Sequence, residues 1–219
     1  MQALGNDTLS RFHRAFHPTL SGTCEFAGGV STTLIVLYST AVLEASMESR
    51  AKLLGHSVHQ MLIVFPLGLL ATAVIFDVIY LITRRPAWTE ASYHMIPAGI
   101  IGGLIAAVFG LLDWLKIPSP TRAWRVGAWH GGGNVIVVLL FAISWWIRRA
   151  APSAPSGAAL AFSFIGVLLA LVTGWLGGEL VDRLGIGIDT GAHPDAPSSL
   201  SGRSAEETTA SAAARTGGR

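Results

Sequence analysis

The sequence predicts an all-α membrane protein, with four antiparallel transmembrane helices in an up-down-up-down bundle. Three observations carry that prediction. Of the 219 residues, 51% are hydrophobic and only 13% are charged, with a mean hydropathy of +0.54. A soluble domain carries about 25% charged residues, so this chain has too little charge to solvate an ordinary surface. The apolar residues gather in four windows, each long enough to cross a hydrocarbon core of about 30 Å. The connections between windows are too short to recross a bilayer, so consecutive helices must alternate in direction. The same figures exclude an ordinary soluble enzyme and a disordered chain. The net charge of +2 comes from basic residues scattered among apolar runs, which is no nucleic-acid footprint. The single cysteine, Cys24, excludes an intramolecular disulfide and any Cys-rich zinc or iron–sulfur site.

The spans are expected at residues 59–83, 93–115, 126–147 and 158–180. Arg84-Arg85-Pro86, the Lys116 to Pro120 stretch, and Arg148-Arg149 punctuate them. Trp88, Trp114, Trp124, Trp129, Trp145, Trp146 and Trp175 fall near span ends, where amphipathic rings prefer the headgroup level. Pro66 should kink the first span. Residues 1–46 hold an apolar run at 34–43 that is too short to span. It reads as a signal-peptide core or, preferably, as part of an extension upstream of a true start at Met47. The membrane domain is then 47–189. The tail from 190 to 219, rich in Ser, Ala, Gly, Thr and Pro, is expected to be disordered.

Helices in lipid associate through close packing of small residues and through polar contacts. Gly99, Gly103 and Ala107 form one ridge; Gly102, Ala106 and Gly110 form the next; Gly166, Ala170, Gly174 and Gly178 form a third. In the third span, Gly127 and Gly131 lead into Gly132 and Gly133. These ridges suit packing within the chain or a homo-oligomer.

Ionisable groups inside spans are costly and so are functional candidates. Alternating topology gathers most of them at one end. His56 and His59 open the first span, His130 lies one turn into the third, and Asn134 lies one turn deeper. Asp113 ends the second span, and Glu179 and Asp182 end the fourth. The opposite end has Asp77 and His94. The three histidines sit at helix N-termini, where the dipole disfavours imidazolium and leaves the neutral ring that a metal requires. Asp113 and Glu179 sit at C-termini, where an anion wants a compensating cation: a metal, a proton, or Arg122, Arg125 or Arg183. The bland readings are interfacial histidines, an Asp113–Lys116 pair and a solvated helix end at Glu179. No strong metal motif is present.

The strings GHSVHQMLIVFPLGLLATAVIFD, GGLIAAVFGLLDWLKIP, WHGGGNVIVVLLFAISW and GWLGGELVDRLGIGID resemble, in order and spacing, the domain of unknown function 2231 family of predicted bacterial membrane proteins. The resemblance covers residues 47–200 and implies four transmembrane helices without a defined chemistry. Gly55, His56 and His59 match its first block, while Ser57 and Gln60 stand where prolines are usual. His130, Asn134, Asp77, Asp113, Gly177, Gly178 and Asp182 match later blocks. Some members look fused to Rieske iron–sulfur domains, which hints at electron transfer; this chain has no Rieske cysteines, so any such redox partner, or another membrane protein partner, would be separate.

Three functions follow as alternatives. The first is a non-catalytic membrane subunit or accessory protein, which is preferred because nothing in the sequence identifies a substrate; no nucleophile constellation argues for an enzyme. The second is a haem b-binding electron-transfer bundle, with His56 or His59 paired to His130 beside Asn134. The third is a divalent-metal or proton-handling site built from His56, His59, His130, Asp113 and Glu179. Six basic residues flank the His-rich end and four the other end. The positive-inside rule then places both termini in the cytoplasm of a bacterium, with the chain in its inner membrane.

Overall fold

The computed structural model describes residues 47–207. The proposed extension at 1–46, Cys24 and the last residues, 208–219, lie outside the described residues. A two-stranded hairpin comes first: β1 (Lys52–Leu53) pairs antiparallel with β2 (His56–Ser57). Its turn has Leu54 at φ 52° and Gly55 at φ 83°, the double left-handed turn that matches strand twist. Glycine suits the second place on two counts, since a Cβ there would also come within 2.6 Å of Ser199.

Five helices follow: α1 (Val58–Leu62), α2 (Val64–Thr83), α3 (Pro86–Trp114), α4 (Arg122–Arg148) and α5 (Gly157–Gly178). A wider turn, Glu179–Arg183, extends α5. With α1 and α2 taken together, four helical stretches are long and apolar enough to cross a membrane: Val58–Thr83, Pro86–Trp114, Arg122–Arg148 and Gly157–Arg183. The first span is interrupted at Ile63 rather than smoothly bent. Pro66 has no N–H for the carbonyl of Leu62 and crowds it, so the helix restarts there, with Pro66 in its first turn. The second span begins seven residues before the expected Tyr93, because Pro86 is pre-set for a helix start. Thr121 and Ser156 cap α4 and α5 by accepting from the N–H groups of Trp124 and Ala159.

Within the protein, only 17–28% of each most apolar window is buried. Ile82, Leu168 and Leu171 stand 76%, 63% and 68% exposed. So much apolar surface, facing outward along every span, needs lipid to cover it. The small interior is Leu70, Ala73, Val74, Ile96, Val137 and Phe141.

The glycine ridges do what close packing in lipid requires. A Cβ at Gly99 would strike Leu70, at Gly102 Phe65, and at Gly110 the His59 ring, so these contacts run in opposite sequence order along α1/α2 and α3. The same reversal relates α4 and α5: Gly133 lies against Thr173, Gly166 against Phe141, and Gly177 against His130. Gly131, Gly132 and Gly174, by contrast, would offer a Cβ open space. Beyond residue 189, where the sequence predicts disorder, the described residues run back toward the hairpin. Thr190 N–H donates to Glu48 Oε1 at 2.9 Å, and a short turn at Ser199–Ser201 meets Gly55.

Candidate functional site

Two polar layers lie inside the bundle. His59 and Asp77 are 18 residues apart, as are His130 and Arg148. At 1.5 Å per residue each separation is about 27 Å, close to the thickness of a hydrocarbon core. The layers are therefore about one hydrocarbon-core thickness apart along the bundle.

The first layer is the imidazole pair. His59, on α1, and His130, on α4, bring their ring centroids to 6.4 Å with planes at 89°. Each ring is seated on a glycine of a neighbouring helix, Gly110 for His59 and Gly177 for His130. His59 Nδ1 lies 2.9 Å from the carbonyl of Ala106, and His130 Nδ1 lies 2.8 Å from that of Thr173. A carbonyl only accepts, so both Nδ1 atoms carry a proton, and in the neutral ring each Nε2 keeps a lone pair. Asn134, one turn on from His130, lies with its amide nitrogen 3.2 Å from His130 Nε2. Thr173 Oγ1 is 2.9 Å from Asn134 Oδ1 and 3.1 Å from the carbonyl of Ala170, so its single proton has two acceptors.

The other sequence candidates go elsewhere. His56 is exposed, and its Nδ1 turns back to Leu54 O at 3.2 Å. Asp113 is taken up by the segment ahead of the hairpin. Ser49 Oγ lies 2.9 Å from both of its oxygens, and Arg50 N–H donates to Oδ1 at 2.7 Å. Those two neutral donors offset its C-terminal position. Glu179 forms an ion pair with Arg122, one of the basic partners expected for it. Among the described residues, no group of three or more His, Cys, Asp or Glu gathers closely enough to hold one metal ion.

Outside the spans, Lys52 Nζ bridges Glu48 and Asp189 at 2.7 and 2.6 Å. The Lys52 hydrogen bond and the Thr190 N–H hold the Glu48 carboxyl down at about 2. Burial works against the Lys52 charge, but the bonds to Asp189 and Glu48 outweigh it and raise the ammonium above its ordinary range.

The second layer is the one the sequence left unread. Asp77, Ser92, Ser144, Arg148 and Ser163 are each 0% exposed. Arg148 has five N–H donors, and five contacts receive them. Nη1 reaches Asp77 Oδ1 at 2.8 Å and Ser92 Oγ at 3.4 Å. Nη2 reaches Asp77 Oδ2 at 2.5 Å and Ser163 Oγ at 2.7 Å, and Nε reaches Ser144 Oγ at 3.1 Å. The cluster takes at least one residue from each span. Counting Arg148 as a loop charge is thus corrected: it is an interior residue at the last turn of α4. Ser92, Ser144 and Ser163 lie with it inside the spans. The signal was there, because Ser144 and Arg148 are four apart and share a face at the depth of Asp77.

The family model described as "Predicted membrane protein (DUF2231)" matches residues 55–190. No curated protein matches. No solved structure matches either.

Proposed function

This chain belongs to the DUF2231 family of predicted membrane proteins, and we propose that it is a non-catalytic membrane subunit, an up-down-up-down bundle that supports a partner protein. The observation that carries this reading is the Asp77–Arg148–serine cluster. Its polar groups are fully buried and bonded to one another. No substrate can reach them, and their geometry ties four spans together. A buried, fully satisfied polar network favours one arrangement of its elements over others. The apolar outer surface supplies the lipid contact. In this reading the chain lies in a bacterial inner membrane, and its four apolar helical spans support that placement.

Both termini face the cytoplasm in this reading. The His-rich end is flanked by Arg50, Lys52, Lys116, Arg122, Arg125 and Arg183. With Arg148 buried in its ion pair, the other end keeps Arg84, Arg85 and Arg149, which widens the bias that sets orientation.

Blue-native electrophoresis of mildly solubilised membranes, with the tagged chain at native expression, tests the subunit role. The expected result is migration well above the 23.1 kDa chain, with a second, reproducible polypeptide in the band. Migration as this polypeptide alone would contradict it. Reporter fusions after Arg85 and Arg149 test orientation. Periplasmic signals are expected at both, and cytoplasmic signals would reverse the assignment.

A further inference from the structure

We propose that His59 and His130 are the two axial ligands of a haem iron held in the bundle. The inference rests on the bundle reading for the placement of the helices and goes beyond it in naming a ligand. Metal-bound histidines characteristically donate their other ring N–H to a carbonyl or carboxylate, which fixes ring and tautomer. Both rings have that support, from Ala106 O and Thr173 O. Both therefore keep Nε2 as an electron-pair donor. Two metal–nitrogen bonds of about 2 Å on opposite sides of one metal leave imidazole centroids roughly 6 Å apart, and the observed separation is 6.4 Å.

The size of the donor set selects the class of metal. A free zinc ion in a protein site takes three or four protein ligands. Here two imidazoles meet, and no third His, Cys, Asp or Glu joins them among the described residues. Two nitrogen donors from different helices are what an iron needs when a porphyrin fills its four other positions. Bundle cores built from facing helices are regular sites for such cofactors. Gly110 and Gly177 give the rings their seats. Ligation requires Asn134 to release His130 Nε2. The amide stays bonded by turning toward Thr173 Oγ1, whose proton then goes to Ala170 O.

The test is the absorption spectrum of the full chain, purified in detergent from haem-replete cells and titrated with added haem, alongside metal analysis. One haem per chain, a Soret band and low-spin reduced bands are expected. His56→Ala should leave them intact, since His56 is exposed. His59→Ala and His130→Ala should each lower haem retention by at least roughly tenfold. Asn134→Ala should retain haem, because it removes only the competing amide. Methionine in place of either histidine should keep iron bound and shift the reduced bands, which separates lost ligation from lost folding. A monodisperse chain with no Soret band at excess haem would overturn the proposal. So would equal haem in both alanine variants, or copper or zinc bound in place of haem. None of these results would alter the native-gel outcome, so the subunit reading stands or falls separately.

Discussion

Asp77→Ala removes the only anion among the described residues that faces the Arg148 guanidinium. Two of the five N–H donors lose their acceptors, and Ser92, Ser144 and Ser163 supply dipoles but no negative charge. The guanidinium is 0% exposed, so its charge is stranded. Removing one partner of a buried pair costs about 3–5 kcal/mol, which lowers the folded-to-unfolded ratio by roughly two to four powers of ten. Replacing both partners with apolar residues strands nothing. Asp77→Leu combined with Arg148→Met should therefore cost less than either single change. Unfolding in micelles by steric trapping, with size exclusion as the check on starting material, measures all four chains. A single substitution costing under about 1 kcal/mol would mean that Arg148 simply reaches the headgroups. A double variant costing the sum of the singles would equally refute the reasoning.

Within the same cluster, Ser163→Ala, which loses a 2.7 Å contact, should cost about 1–3 kcal/mol and more than Ser92→Ala, which loses one at 3.4 Å; the reverse order in the same assay would contradict the geometry. Gly110→Ala would put a Cβ 2.8 Å from His59 Cε1, whereas Gly131→Ala meets nothing within 4 Å. The first should cost about 1–3 kcal/mol through overpacking and the second be neutral within about 0.5 kcal/mol, both read from thermal unfolding; equal effects would count against the ring's seat. The Lys52 clasp has a defined pH window. The Glu48 carboxyl is depressed, so its contribution is present above its ordinary 4.5 and is lost as pH falls through about 2. The Lys52 ammonium is raised, so its contribution is complete below its ordinary 10.5 and is lost as pH climbs past its raised value. Hydrogen exchange at the Thr190 amide, corrected for the intrinsic rate, should show protection at pH 5 that fades near pH 2. Unchanged protection in a Glu48→Ala variant would sink that account.

The sequence announced its spans because lipid tolerates no half-measure. Apart from interior polar residues such as Asp77, Ser163 and Thr173, residues 64–83 and 157–178 are apolar on nearly every face, and no soluble packing could cover them. Span ends were harder to read. Pro86 starts α3 seven residues before the apolar window, since a polar first turn can sit in the headgroups. The imidazole pair was legible in part, because alternating topology sends His59 and His130 to one end whatever the details. Topology does not say which carboxylates join them. Asp113 and Glu179 share that end, yet Asp113 is drawn to Ser49 and Arg50 and Glu179 to Arg122. The Asp113 contacts depend on the path of residues 47–57, which hydropathy does not encode. Arg148 was missed because an arginine beside a second arginine at a span end reads as a flank. Only the facing positions of Asp77 and three serines, each on a different stretch of chain, turn it into an interior residue.

A density map of the chain in a lipid nanodisc, resolved to side chains, bears most directly on the central claim that buried polar residues tie the four spans together. The guanidinium of Arg148 should lie inside the bundle, bidentate on Asp77 with Ser92, Ser144 and Ser163 around it, at the membrane face opposite His59 and His130. An Arg148 side chain turned outward to lipid phosphate, with Asp77 paired elsewhere, would contradict it.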